Sequence, residues 1–456
     1  MLRAYMNTTA PSKLSVGRRD FLKTSALASG GILLAPSIMK AQSSPNGKIN
    51  IAILGYGKQG EVLTNSMLQI EPRPFNIVAV CDIWKNSIGK CRSLLRTESP
   101  QLKWYFDYKE MLDAKDELDL DAVIIATPDL WHARHTNACL EAGLHVYCEK
   151  MMARTIDEAK SMVQTARDTG QLLQIGHQRR SNPRYLHAYH NLIKRSDLLG
   201  RFTTANGQWN RSAKKFQDVN PRIYIEQDQL EAHGYRDMEQ FLNWRWFRDL
   251  SGGPISDLGS HQIDIFNWFF DALPKSVQAS GGNDYYEGRE WYDNVMAIFE
   301  YDTPHGPARA FYQTLATTGA GGGYYEYFMG DEGALRMSEN PSFTKMYREA
   351  REETQETWND LAKKGFIRKE EAAKKEVVTK VDVRESAPPD AYDIPIVLNK
   401  MPHTPHLENF FDAINGKAKL NSDGEHTLKS EMAIFHVNEA VAARKTIELP
   451  KSVYDI

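Results

Sequence analysis

Cysteine is scarce: the 456-residue chain has four, at positions 81, 91, 139 and 148, with no Cys-x-x-Cys pair and no zinc-like spacing. That argues against a disulfide scaffold or a cysteine-built metal centre, and Cys81 and Cys148, which end strand-like runs, read as buried free thiols. An excess of one charge is also missing. With a formal net charge of -3, the chain has no basic field to attract nucleic acid or anionic lipid, so small molecules are the expected ligands. The balance of 25% charged and 41% hydrophobic residues suits an ordinary globular protein, and the length predicts two domains.

Apolar runs long enough to cross a bilayer are absent too. The first apolar run, "SALASGGILLAPSIM", is too short and too rich in Gly and Ala to be a stable span. It follows Arg18 and Arg19 and precedes "KAQSS", so it reads as a signal peptide. Twin arginines followed by Asp20, Phe21, Leu22 and Lys23 match the twin-arginine export motif, whose translocase carries proteins that have already folded. Residues 1–41 are therefore expected to be a signal, with the mature start near Gln42, a periplasmic location and no stable membrane anchor. A chain folded in a reducing cytoplasm also has little need for disulfides.

From Lys48 onward, strand-like runs such as "INIAILG", "FNIVAVCD", "DAVIIATP", "HVYCEK" and "LLQIGHQ" alternate with amphipathic helical stretches. Continuous β-branched runs separated by helices predict a parallel sheet covered on both faces, a doubly wound Rossmann domain over 48–180. Beyond it, over 181–456, period-two runs such as "VMAIFEY" and "ARAFYQTL" predict a second α/β domain with a mainly antiparallel sheet. Helices are expected in "SHQIDIFNWFF", "PHLENFFDAI" and "TLKSEMAIFHVNEAVAA". The Lys/Glu-dense stretch at about 347–385 reads as a solvated helical insertion. The Gly-rich "TTGAGGGYYEY" is either a mobile loop near a pocket or a plain connection.

Gly55, Gly57 and Gly60 fit G-x-G-x-x-G directly after the first strand, enclosing Lys58 and Gln59. Glycines there permit a tight turn and close approach of a pyrophosphate to amides at a helix N-terminus. Asp82 ends the second strand about 20 residues on, where a carboxylate bonds the ribose hydroxyls and repels a 2′-phosphate. NAD is therefore preferred, although Lys58 leaves NADP admissible. Strand ends in an open α/β sheet face the ligand crevice, which places Thr127, Pro128, Trp131, His132, Glu149 and Lys150 along it.

Lys150, just past a buried run, suits stabilisation of a developing alkoxide. Asp257 and His261 are four apart and Asp264 follows three later, so on a helix they share a face. A histidine held by a carboxylate suits removal of a hydroxyl proton as hydride leaves. A helix cap with a core histidine fits the same spacing, and a metal site at these three residues is a weaker reading, so no metal is expected.

Taken together, these motifs resemble the glucose-fructose oxidoreductase and inositol dehydrogenase (Gfo/Idh/MocA) family. Its glycine turn matches Gly55 to Gly60, its Glu-Lys-Pro matches Glu149-Lys150 with Met151 in place of proline, and its Asp-x-x-x-His matches Asp257 and His261. The resemblance implies a catalytic set of Lys150, Asp257 and His261, with His261 as general base. It also implies a homodimer or homotetramer formed through the open sheet. Loss of the proline leaves the loop geometry at Met151 open.

Sugars present apolar faces edged by hydroxyls, which suit aromatic and bidentate polar groups. Gln178, Arg179, Trp209, Asn210, Arg211, Trp246 and Arg248 are the substrate candidates, beside Asp257 and His261. The expected activity is NAD(H)-dependent oxidation of a ring secondary alcohol of a sugar or glycoside, at C3 as the specific expectation, on a tightly bound cofactor. The alternative is a glycosidase that uses bound NAD transiently through oxidation, elimination, water addition and reduction. By resemblance that branch departs from Glu-Lys-Pro at the lysine, so Lys150 favours the dehydrogenase.

Overall fold

A computed structural model describes residues 47–213, 216–319, 323–349, 352–370 and 389–455. The expected signal, residues 1–41, lies outside them. Among the described residues, no helix is long and apolar enough to cross a membrane.

Six strands make the first sheet: β1 (Ile49–Leu54), β2 (Phe75–Cys81), β3 (Lys103–Tyr105), β4 (Ala122–Ile125), β5 (His145–Cys148) and β6 (Leu173–Ile175). Their order, β3-β2-β1-β4-β5-β6, and parallel pairing are those of a doubly wound fold. The inner strands are mainly apolar because helices cover both faces; every residue of β1 and β4 is buried. Local signals set the helix ends. Thr155 and Glu158 form a reciprocal capping box that starts the helix Ile156–Thr169, and left-handed Gly170 stops it.

One covering layer of this sheet arrives from far along the chain. The helix Thr404–Ile414 buries Leu407, Phe410 and Phe411 in the same cluster as Ile51, Phe75 and Tyr147. Phe411 stacks on Phe75 with ring centroids 4.6 Å apart. The Rossmann core is thus completed by a segment from the C-terminal part of the chain.

The second sheet has ten strands. They are β7 (Phe202–Asn210), β8 (Pro274–Gly282), β9 (Asn294–Thr303), β10 (Gly306–Leu315), β11 (Tyr324–Gly330), β12 (Gly333–Met337), β13 (Lys345–Arg348), β14 (Arg368–Lys369), β15 (Asp390–Asp393) and β16 (Ile447–Glu448). The order is β14-β15-β13-β12-β11-β7-β10-β9-β8-β16, with β7 and β10 parallel and the other pairs antiparallel. One face packs under the helices Ser260–Phe270 and Gly424–Ala443. The other leaves Met296, Ile298 and Phe311 exposed, with Phe311 opposite Ile298 across β9 and β10.

Two expectations change. Tyr324 to Tyr327, read as part of a Gly-rich loop, are the start of β11, because alternate residues turn into the core and Glu326 and Phe328 are buried there. The charged stretch from Tyr347 is not uniformly helical: it ends β13, forms the helix Glu352–Lys363, then adds β14 to the sheet edge. Its remainder, 371–385, lies outside the described residues.

Phe411 is fully buried against the Rossmann strands, so Phe411→Ala is expected to lower unfolding free energy by about 3–5 kcal/mol through lost transfer and a residual cavity. Denaturant unfolding checks this. A loss under about 1 kcal/mol would mean that the helix is not part of the core.

Candidate active site

The turn after β1 shows why each glycine is needed. Gly55 has φ +89°, and a Cβ there would lie 2.7 Å from the Thr127 methyl; at Gly60 a Cβ would strike the Gly55 carbonyl oxygen. At Gly57 nothing lies within 4 Å of the Cβ position, so the amides opening the helix Lys58–Met67 face open space. That is the cradle a pyrophosphate requires. Asp82 stands beside it, its two carboxylate oxygens accepting from the amides of Tyr56 (2.7 Å) and Trp84 (2.8 Å). Burial pushes its pKa up to about 6 against these two hydrogen bonds.

The turn is tied to the strand-end loops through Gln59, whose Nε2 donates to Glu149 Oε1 (3.1 Å) and lies 3.1 Å from His403 Nε2. Glu149 is buried, also accepts from the Tyr147 hydroxyl (3.3 Å), and packs so tightly on Gly176 that a Cβ there would come within 2.9 Å of its carboxylate. Thr127 bonds His135 Nδ1 (3.1 Å), Pro128 precedes the helix Asp129–Glu141, and Trp131 stacks on His135 at 5.0 Å.

His132 is buried beneath the loops, with Nδ1 2.7 Å from the Met151 carbonyl and Nε2 2.7 Å from the Thr127 carbonyl. Burial alone would lower its pKa. The Cys148 sulfur, Asp129 and the Met151 carbonyl outweigh burial and bring it to about 10, so a cationic ring donates to both carbonyls. It positions the two loops. The Lys150–Met151 peptide between them is cis, the form proline accommodates most readily.

Lys150 points across to the second domain, donating to the Asp257 carbonyl (2.5 Å) with its ammonium 3.8 Å from Asp257 Oδ1. Asp257 lies in a π-helical turn, Ile255–Gly259, that leads into the helix Ser260–Phe270. Its carboxylate does not hold His261, as the spacing suggests. It accepts instead from Arg245 Nε (Oδ1, 3.1 Å) and Arg211 Nη2 (Oδ2, 3.0 Å). Burial would raise its pKa, but Arg245, Lys150 and Arg211 hold it well below the usual carboxylate range.

His261 is buried beside this group, its Nδ1 without a protein partner among the described residues. Burial first, and then the charges of Lys150 and Arg179, keep its pKa far below the ordinary value, so the ring is neutral. It lies against Trp209 (5.7 Å) and edge-on to His177 (6.0 Å). Asp264, one turn on, faces away from Asp257 and pairs with Arg180 (2.7 Å) and Ser430 (2.7 Å). Among the described residues no His, Cys, Asp and Glu set is arranged to hold a metal.

Arg179 is buried behind Trp209 and Tyr324, 5.7 and 5.4 Å from their ring centres, paired with Glu326 and with Glu339 (3.1 Å). Gln178 also donates to Glu339 (3.0 Å). Burial pushes Glu326 up to about 7 despite Arg179. Asn210 is buried at the end of β7, its Oδ1 unpartnered among the described residues.

The substrate candidates Trp246 and Arg248 make separate contacts. Trp246 packs on Arg289 at 3.6 Å, while Arg248 lies over Trp291 (4.5 Å) and donates to the Glu290 carbonyl (3.2 Å). No contact ties Arg248 to Asp257 or His261; the segment's link to Asp257 is Arg245. His177, Arg245, Glu326 and His403 escaped sequence reasoning because long-range packing brings them in. His177 and Arg245 stand next to the substrate candidates Gln178 and Trp246, which was the one signal that could have found them.

Residues 49–177 match the model of the oxidoreductase family with an NAD-binding Rossmann fold (GFO_IDH_MocA), and residues 227–336 match the GFO/IDH/MocA C-terminal domain. A glycosyl hydrolase family 109 protein of Solibacter usitatus is 32% identical over 162 residues, covering 33% of this chain and 36% of that protein. The D-glucoside 3-dehydrogenase of Escherichia coli is 30% identical over 241 residues, covering 52% and 58%. The chain thus matches less than two thirds of the length of these relatives. Among solved structures, aldose-aldose oxidoreductase from Caulobacter crescentus aligns with TM-score 0.65 and 18% identity over 88% of this chain and 100% of that one.

If an ionised Asp82 accepts from the ribose hydroxyls, as its place after the second strand predicts, NAD affinity is expected to fall as pH drops below about 6. The apo fold has the opposite sign: a carboxyl whose pKa folding raises from 3.8 makes the fold more stable as pH falls through that interval. Titration calorimetry on nucleotide-stripped protein checks this, and NAD affinity flat between about pH 5 and 8 would reject the assignment.

Proposed function

As the chain belongs to the Gfo/Idh/MocA oxidoreductase family, we propose that it oxidises a ring secondary alcohol of a sugar or glycoside on a tightly held NAD, with C3 as the reacting carbon. The observation that carries this reading is the convergence of Lys150, Asp257 and neutral His261 at the carboxyl ends of the Rossmann strands. Likeness to a D-glucoside 3-dehydrogenase supports the choice of carbon.

The residues fit the dinucleotide. The amides after Gly57 take the pyrophosphate and Asp82 takes the ribose. When bound, the cofactor supplies a hydride acceptor at nicotinamide C4. His261 receives the hydroxyl proton through a ring nitrogen kept free by its neutrality, and Lys150 stabilises the oxygen as negative charge builds on it. Trp209, half-buried between Tyr324 (4.6 Å) and His261 (5.7 Å), gives the sugar ring an aromatic edge to pack on.

Retention of the nucleotide has structural support. A segment spanning Phe216 to Leu250 packs Tyr235, Phe241 and Phe247 around Ile83, Trp84 and Leu130, with Phe241 edge-on to Trp84 at 5.8 Å. Ile83 and Trp84 directly follow Asp82, and Leu130 lies in the first turn after the β4 loop, so this segment flanks the adenosine end of the crevice. Export of the folded chain to the periplasm with its cofactor bound is part of the same proposal, as is self-association through the face bearing Met296, Ile298 and Phe311.

A second reading, the NAD-dependent glycosidase, draws on the likeness to a glycosyl hydrolase family 109 protein. The two separate when the protein is purified folded, its nucleotide identified after denaturation, and glycosides are supplied with and without a keto-sugar acceptor. Reduction of the bound nucleotide without hydrolysis is expected; free sugar with no net redox change would establish the glycosidase instead. Lys150→Ala and His261→Ala should each slow reduction about a hundredfold or more while nucleotide content stays unchanged. Unaltered turnover in both would remove them from the mechanism.

A further inference from the structure

We propose that the saccharide carries a carboxylate, as a hexuronic acid or its glycoside, and that Arg211 and Arg245 bind it; this rests on the sugar-oxidising reading above. Three cations surround the single carboxylate of Asp257: Lys150 (3.8 Å), Arg245 (3.1 Å) and Arg211 (3.0 Å). One would neutralise it. The excess is costly to assemble unless something else uses it, because like charges held close repel.

The cluster is also built rather than incidental. Lys150 follows β5, Arg211 follows β7, and Arg245 sits in the turn Trp244–Trp246, so three separate parts of the chain deliver cations to one point. Arg245 is braced on the Trp244 ring at 4.3 Å. Arg289 adds a further positive charge beside Arg211, stacked between Trp246 and Tyr286 at 3.6 Å from each. Against these stand two further carboxyls, Asp129, which interacts with Lys150 and Arg245 and whose pKa burial raises, and Asp293, which interacts with Arg289.

Both arginines remain open to a ligand. Their side chains are 42% and 41% exposed, whereas Lys150 is 12% and Asp257 19% exposed. Each reaches Asp257 through one nitrogen, Nη2 of Arg211 and Nε of Arg245, so other N–H groups of each planar guanidinium face outward. Two such forks suit a planar carboxylate better than a hydroxyl edge. Lys150 and Arg245 approach the same oxygen of Asp257, which sets the cation at the reacting hydroxyl and one of the two forks side by side.

The test compares methyl glucuronide with methyl glucoside, identical except for the carboxylate, by calorimetric binding to the holoenzyme. The glucuronide is expected to bind about tenfold or more tightly, the scale of one charge-assisted pair, with the preference shrinking at high salt. In the Arg211→Gln, Arg245→Gln double variant the ratio should fall to near one, circular dichroism confirming that it is folded. Equal binding of the two sugars by the wild type, no measurable glucuronide binding, or a preference that survives the double substitution would overturn the proposal. So would tighter binding of glucose 6-phosphate than of the glucuronide. Turnover is read separately: selective binding without reduction of the bound nucleotide would leave the charge proposal standing and remove the dehydrogenase reading.

Discussion

The ammonium of Lys150 lies nearly buried at the seam between the two sheets, and the rest of the site follows from the need to satisfy it there. Withdrawing a cation from water costs several kcal/mol unless hydrogen bonds and opposite charge compensate. The hydrogen bond and the ion pair that compensate it come from the other domain, through the main-chain carbonyl and the carboxylate of Asp257. One bond therefore joins the end of β5 to the turn that opens the helix Ser260–Phe270. It also fixes the distance between the nucleotide crevice and the residues that meet substrate.

That arrangement sorts the charges of the centre into two groups. Cations engage Asp257, while His261 is left neutral by burial and by the cations around it. A histidine locked against Asp257 would share its proton with the carboxylate. A histidine kept neutral has a ring lone pair with which to receive one. Behind it, Arg179 and Glu326 compensate one another inside the core, and the His177–Glu431 pair (2.8 Å) extends to the Met152 amide (2.9 Å), which anchors the loop bearing Lys150.

The fold was legible wherever a periodic pattern met a punctuating residue. The β1–Gly55–Gly57–Gly60 turn, the helix Ser260–Phe270 and the β9–β10 hairpin emerge from local rules, because strand alternation and glycine spacing are local properties. The contribution of Thr404–Ile414 to the Rossmann core was not legible, since an amphipathic helix declares that it has an apolar face but not where that face docks. The same limit explains the site. Lys150, Asp257 and His261 lie in recognisable motifs, but that Asp257 turns to Arg211 and Arg245 rather than to His261 depends on three loops meeting. His132, positioned like a crevice residue, is drawn inward because two carbonyls require donors there.

The segment around Trp84 and Phe241 links these observations to turnover. It carries Arg245 to Asp257 and at the same time covers the residues that follow Asp82, so on the proposed reading one piece of chain helps build both the pocket for the substrate's charged end and the wall of the nucleotide crevice. A ligand bound between surfaces that pack only in the folded state stabilises that state by mass action and leaves slowly if the wall must open first. On the proposed reading the nucleotide then changes redox state without leaving. On the same reading a second molecule restores it at the same site, so the charge and ring preferences set by Arg211, Arg245 and Trp209 apply to both half-reactions.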